Sequence, residues 1–159
     1  MKIAVYAGTF DPITNGHLDI ARRASCLFDR IIIAVARDNY KNTMFDLEER
    51  CQMVREAVAA QSNITVVPFD GLLVDFCRSQ GATSIIRGLR AVSDFDKEFQ
   101  MALLNRQLNG GIETVFLMSD AKYLYISSSI IRNSAVLGGD IRDLVPPCVA
   151  EALKKKLAK

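Results

Sequence analysis

Short apolar runs alternate with amphipathic stretches along this whole 159-residue chain, and that alternation restricts the fold more than any other feature. The runs fall at residues 3–6, 31–36, 64–67, 84–86 and 114–118. Several are apolar at consecutive positions rather than at every second one, the pattern of strands covered on both faces. Between them, Ile20, Ala24, Leu27 and Phe28 stand at i, i+4, i+7 and i+8, a helical stripe. Leu47, Cys51, Val54 and Val58 repeat it, with Asp46 and Glu49 placed as a cap and its third-position partner. Leu72, Leu73, Phe76 and Cys77 form a third stripe closed by Gly81. Phe95, Phe99, Ala102 and Leu103 form a fourth, after Ser93 and before Gly110-Gly111; beyond Met118 the chain reads as a loop and then mostly helix. Strand–helix alternation implies βαβ units, so the expected fold is α/β: one domain over residues 1–159, a five-stranded parallel sheet with helices on both faces. In such sheets ligands bind beyond the C-terminal strand ends, near a topological switch point.

Charge narrows the function classes. Twenty Lys and Arg against 18 Asp and Glu leave a net charge of +2, too small to point to nucleic acid or a membrane. Cys26, Cys51, Cys77 and Cys148 form no C-x-x-C pair, and His17 is the sole histidine, so no zinc site is expected. Free thiols fit a cytoplasmic protein. The apolar run at the N-terminus is shorter than a signal-peptide core and far too short to span a bilayer.

Three segments at strand ends carry the candidate chemistry. The first is Gly8-Thr9-Phe10-Asp11-Pro12-Ile13-Thr14-Asn15-Gly16-His17, a turn from strand to helix. Gly8 lets the chain turn, Pro12 fixes a bend, and the helix start offers N–H groups and a positive dipole end to a phosphate. Thr9 adds a hydroxyl. His17, in the first helical turn, is placed to donate to a phosphate oxygen rather than to serve as an ordinary packed histidine. Neither a Walker A loop nor G-x-G-x-x-G is present. The second segment is Ile85-Ile86-Arg87-Gly88-Leu89-Arg90. Its two arginines suit a polyanion, or alternatively ion pairs with Asp94, Asp96 or Glu98, and Gly88 is expected to allow a sharp turn. The third is Ile126-Ser127-Ser128-Ser129-Ile130-Ile131-Arg132, an N-cap signature whose hydroxyls and N–H groups would also hold a triphosphate. Lys41, in the loop after the second strand, is either solvated or on the rim of the same cleft. Lys154-Lys155-Lys156 reads as a solvated last helical turn.

Gly8 to His17 resembles the T-x-G-H form of a nucleotidyltransferase signature. Arg87-Gly88-Leu89-Arg90-Ala91 and Ile126-Ser127-Ser128-Ser129 resemble two further signatures of bacterial phosphopantetheine adenylyltransferases. The likeness extends to Met44-Phe45 with Leu47-Glu48-Glu49-Arg50, and to Val115-Phe116-Leu117-Met118. It implies a Rossmann-like fold and transfer of AMP from ATP to 4′-phosphopantetheine, with Mg²⁺, a homohexamer and coenzyme A as a competing end product. It also implies that Thr9, Phe10 and His17 meet ATP, together with Gly88, Leu89, Arg90, Glu98, Tyr123, Leu124, Tyr125, Ile126, Ser127, Ser128 and Ser129. Thr9, Lys41, Leu73 and Arg87 would contact the phosphopantetheine, and His17, Lys41, Arg90 and Thr9 would carry the chemistry. Two departures stand out: Ala7 where the family often has proline, and Asn42-Thr43 where a lysine and a proline are common.

No motif pairs a nucleophile with a base, so the expected mechanism is direct in-line attack without a covalent intermediate. The alternatives are another phosphate-bearing acceptor, such as nicotinamide mononucleotide or glycerol 3-phosphate, a nucleotide-binding module without turnover, and a nucleic-acid binder. Thr14, where the first group usually has His, counts against the first. Lys41 and Arg87 count against the second. The lack of Trp or an aromatic–basic platform counts against the third.

Overall fold

The computed structural model describes residues 1–37 and 42–158. Five strands, β1 (Ile3–Gly8), β2 (Arg30–Ala36), β3 (Ile64–Phe69), β4 (Ser84–Leu89) and β5 (Glu113–Met118), form one all-parallel sheet in the order β3-β2-β1-β4-β5. The helices are α1 (Asn15–Ser25), α2 (Leu47–Ala57), α3 (Leu73–Ser79), α4 (Val92–Leu108), α5 (Ser128–Val136) and α6 (Pro147–Leu157), with a 3-10 turn at Ala121–Tyr123. The α/β fold with helices on both faces is as the alternation predicts.

Successive strand side chains point to opposite faces, so each central strand feeds two cores. On the first face Tyr6, Ile31, Ile33, Val35 and Ile86 pack with Ile20 and Ala24 of α1, Val54 of α2, Ile131 of α5 and Leu153 of α6. On the second, Val5, Ala7, Ile32, Ala34 and Ile85 pack with Val74 and Cys77 of α3. Each fully buried Ile or Val contributes about 1.5–3 kcal/mol. The edge strands β3 and β5 are only half-buried, so coverage on both faces is a property of β1 and β2.

Helix α2 has the predicted start: Glu49 N–H donates to Asp46 at 2.8 Å, and Asp46 N–H donates back to Glu49 at 2.8 Å. Gly81, just past α3, has φ 65°, as its closing position requires. Three details differ from the sequence expectation. Helix α1 stops at Ser25, so Leu27 lies outside it and is exposed while Phe28 turns into the core. In α4 no described side chain is buried, and Phe95, Phe99 and Leu103 are each close to half exposed. At the end of α6, Lys154 and Lys155 are solvated. Lys156 instead reaches Glu49 at 2.8 Å and lies 5.2 Å over the Phe45 ring, tying α6 to α2. All four cysteines are free thiols, with Cys51 and Cys77 buried in the stripes. Among the described residues no helix is long and apolar enough to cross a membrane.

Candidate active site

Strand β1 pairs with β2 over six positions but with β4 over only three, Ala4 to Tyr6 against Ser84 to Ile86. Past that point the strands part, at the place where strand order reverses, and a cleft of about 470 Å³ opens. Arg87 enters the gap. Its Nη1 donates to the Ala7 carbonyl at 3.0 Å, and its other nitrogens grip Glu98 of α4 at 2.6 and 2.7 Å. Gly88, still within β4, does not make a sharp turn; among the glycines only Gly71, Gly81 and Gly138 have positive φ. A Cβ there would lie 3.3 Å from Ile20, so glycine admits the close approach of α1 instead.

The first motif wraps the end of β1. A Cβ on Gly8 would come within 3.1 Å of the Phe10 ring, so glycine lets that ring fold back over the strand without displacement. Phe10 itself has φ 50°, a left-handed conformation costing a non-glycine residue on the order of 1 kcal/mol. The result is a train of rings. Phe10 meets Tyr6 edge-on at 5.5 Å and His17 edge-on at 5.1 Å.

Thr14 caps α1 and orients His17. The Thr14 hydroxyl accepts from His17 N–H at 3.3 Å, and Thr14 N–H donates to His17 Nδ1 at 3.1 Å. Because Nδ1 accepts, the ring proton belongs on Nε2. Burial, with the nearby Arg90 and Arg87 charges, pulls the imidazole pKa down to about 4. His17 is thus a neutral N–H donor at neutral pH, set in the cleft wall. Two first-turn N–H groups of α1 are already engaged, that of His17 by Thr14 and that of Asn15 by the Leu144 carbonyl, so this helix end offers less to an anion than the sequence suggests.

The serine run is an N-cap. Ser127 accepts from Ile130 N–H at 3.2 Å, Ser128 donates to the Pro12 carbonyl at 2.8 Å, and Ser129 accepts from Arg132 at 3.3 Å. Arg132 also donates to the Asp11 carbonyl at 2.6 Å, and Arg90 to the Ile126 carbonyl at 2.8 Å. Side chains therefore tie the three motifs to one another. Each cleft arginine faces one carboxylate: Arg87 faces Glu98, Arg90 faces Asp94 and Arg132 faces Asp11. The ion-pair alternative for Arg87 and Arg90 is realised, and it holds both guanidiniums at the cleft.

Of the sequence candidates, Thr9, Phe10, His17, Arg87, Gly88, Arg90 and Glu98 line this one cleft, as do Tyr123, Ile126, Ser127, Ser128 and Ser129. Leu89, Leu124 and Tyr125 do not, and the last two are largely exposed. Leu73 begins α3 and packs against the second-face core, away from the lining. Lys41 lies outside the described residues, although its neighbours Asn42 and Thr43 line the cleft.

Several residues have roles that the sequence reading did not assign, though Asp11, Thr14 and Arg132 stand within its candidate segments. The buried Asp11 carboxylate accepts from Met44 and Phe45 N–H, both at 2.9 Å. Buried Arg50 of α2 donates to the carbonyls of Thr9, Ala36 and Phe45 at 2.7, 2.9 and 3.2 Å. Together they fix both ends of the segment between β2 and α2 to the first motif. Arg50 was visible only as part of the resembling stretch Leu47-Glu48-Glu49-Arg50 and as an arginine beside Cys51 on an otherwise apolar stripe, with no role attached. Tyr6, Thr14 and Arg132 also line the cleft.

Residues 5–134 match the Cytidylyltransferase-like family. A solved structure of a protein assigned as a nicotinate-nucleotide adenylyltransferase from Vibrio parahaemolyticus superposes with a TM-score of 0.74. That match covers 99% of this chain and 95% of the other at 21% identity, a likeness of fold. Sequence relatives are far nearer. The phosphopantetheine adenylyltransferase of Moorella thermoacetica is 58% identical over 98% of both chains. That of Oleidesulfovibrio alaskensis is 55% identical over 98% of this chain and 91% of its own length. That of Geobacter metallireducens is 52% identical over 99% and 97%. With identity at this level along nearly its whole length, and with the three motifs gathered at the β1–β4 split, the chain belongs to the phosphopantetheine adenylyltransferase family.

Proposed function

We propose that the chain transfers AMP from ATP to the phosphate of 4′-phosphopantetheine, giving dephospho-coenzyme A and pyrophosphate in the penultimate step of coenzyme A biosynthesis. Family membership supports it, and the observation that carries it is the cleft at the β1–β4 split. There a neutral His17 donor, two paired arginines of the second motif and the serine cap face one another.

A phosphate oxygen of the acceptor attacks the α-phosphorus in line. The bond to the β-phosphate bridging oxygen breaks, and pyrophosphate leaves with that electron pair. The attacking phosphate is already an anion, so no general base is needed, and catalysis consists of positioning and of neutralising spreading charge. His17 Nε2–H donates to the α-phosphate as charge develops, and Thr9 adds its hydroxyl. Arg90 and the cap at Ser127, Ser128 and Ser129 hold the β- and γ-phosphates. Phe10, Gly88, Glu98, Tyr123 and Ile126 complete the nucleotide site, with Leu89, Leu124 and Tyr125 assigned to it through these neighbours. Lys41, next in sequence to Asn42 of the cleft lining, and Arg87 take the acceptor phosphate, and Leu73 meets its apolar arm.

The lining carboxylates Asp11, Asp94 and Glu98 are already engaged by N–H groups or arginines. A Mg²⁺ ion would therefore be carried by ATP oxygens and water, consistent with its preference for phosphate and retained waters. It would neutralise charge on the phosphates.

A homo-oligomer, a hexamer by resemblance, would cover α4, where Phe95, Phe99, Met101, Leu103, Leu104 and Leu108 are 42–49% exposed. Light scattering in solution reports the assembly. Coenzyme A, sharing the acceptor's arm and the nucleotide, would compete at the cleft, and the site of action is cytoplasmic. The deciding experiment is pyrophosphate release from ATP and Mg²⁺ with 4′-phosphopantetheine, nicotinamide mononucleotide or glycerol 3-phosphate. Release is expected with 4′-phosphopantetheine alone; release with another acceptor, or with none, overturns the assignment.

A further inference from the structure

Tyr6 brings to the cleft a polar atom that the fold itself does not use. The residue is only 5% exposed, yet among the described residues its phenol oxygen has no hydrogen-bond partner. That oxygen is not sealed in the core either. Gln61 Oε1 is the one fully enclosed, unpartnered side-chain atom among the described residues, whereas Tyr6 lines the cleft. A hydroxyl that opens only to the cleft adds no hydrogen bond to the fold, and phenylalanine would fill nearly the same volume. The group is available to a molecule bound in the cleft.

Its surroundings say which. Burial pushes the phenol pKa well up despite the Arg87 and Arg90 charges, so the group stays protonated and can donate as well as accept. Tyr6 sits on the first face of the sheet with Phe10 and Ile20, its ring edge-on to Phe10 and, through it, to His17. Leu73, the apolar acceptor contact, belongs to the opposite face. Arg87, assigned above to the acceptor, is also near, but the rings in line with Tyr6, Phe10 and then His17, are both nucleotide contacts of the proposed function, which favours ATP.

We propose that the Tyr6 hydroxyl is a nucleotide-binding group, forming a hydrogen bond to a polar atom of bound ATP. This rests on the cleft being the nucleotide site. The test is calorimetric binding of Mg²⁺ with a non-hydrolysable ATP analogue, and separately of 4′-phosphopantetheine, to the parent and to Tyr6→Phe, alongside thermal unfolding of both without ligand. Tyr6→Phe is expected to weaken the ATP analogue roughly threefold to tenfold, the worth of one hydrogen bond. Affinity for 4′-phosphopantetheine stays within twofold, and the unliganded variant melts at the same temperature or higher. Unchanged affinity for the analogue, a loss confined to 4′-phosphopantetheine, or a clearly lower melting temperature each overturns the assignment. A parent that does not bind the ATP analogue overturns the nucleotide site and the assignment with it. A parent that binds it and a variant that binds equally well overturn only the role of Tyr6.

Discussion

The two flanks of β1 behave differently. Toward β2, six consecutive positions pair, and the strand ends are bound by one buried arginine, Arg50, donating to three carbonyls. Toward β4, pairing stops after three positions, and a second arginine, Arg87, occupies the gap while Glu98 holds it from α4. Both arginines replace ladder hydrogen bonds with side-chain ones. Arg50 is sealed in and serves the fold; Arg87 reaches the cleft. An arginine of either kind satisfies carbonyls, and only where the strands diverge does it also line a cleft.

The comparison breaks most sharply at His17. His17→Ala is expected to lower turnover ~10²–10³-fold, the usual cost of losing one transition-state donor. ATP affinity and melting temperature should change little, and steady-state kinetics with calorimetry checks all three. Near-normal turnover would remove His17 from the chemistry and make the open flank as structural as the closed one.

On the closed flank the effect is on folding. Arg50→Met keeps most of the volume but leaves three carbonyls, one buried and two partly buried, without this donor, a loss of about 2–4 kcal/mol in denaturant unfolding. A variant as stable as the parent would mean that water replaces the guanidinium there.

The last effect is one of pH. His17 is held neutral in the folded chain down to about pH 4, whereas an unfolded histidine titrates near 6.5. The unfolded state therefore binds the extra proton first. Stability is intact above pH 6.5 and declines as pH falls through about 4. His17→Gln should lack this part of the acid limb in melts recorded from pH 7 to 4. Turnover of the parent should show no inflection from His17 between pH 6 and 8.

Legibility followed the range of the interaction. The capping box at Asp46 and Glu49 and the serine cap at Ser127 involve residues three apart, so sequence reading finds them. Asp11, bonded to Met44 and Phe45, and Arg132, reaching back to the Asp11 carbonyl, join positions 33 to 121 apart in the chain, and no local pattern announces them. The fourth stripe was legible as a helix but left its partner open. Its spacing is helical and α4 is a helix, but periodicity does not say whether an apolar face meets this chain's core or something else.

The order of short apolar runs and helical stripes was enough for the α/β class and the parallel sheet, and the motif spacings were enough for the family. Those depend on local periodicity and on which residue types stand at strand ends. The split between β1 and β4, the neutral His17 with its proton on Nε2, and the unmatched hydroxyl of Tyr6 came only with the folded chain. Strand register, tautomer and desolvation are set by neighbours distant in sequence, and a spacing along one segment carries no information about them.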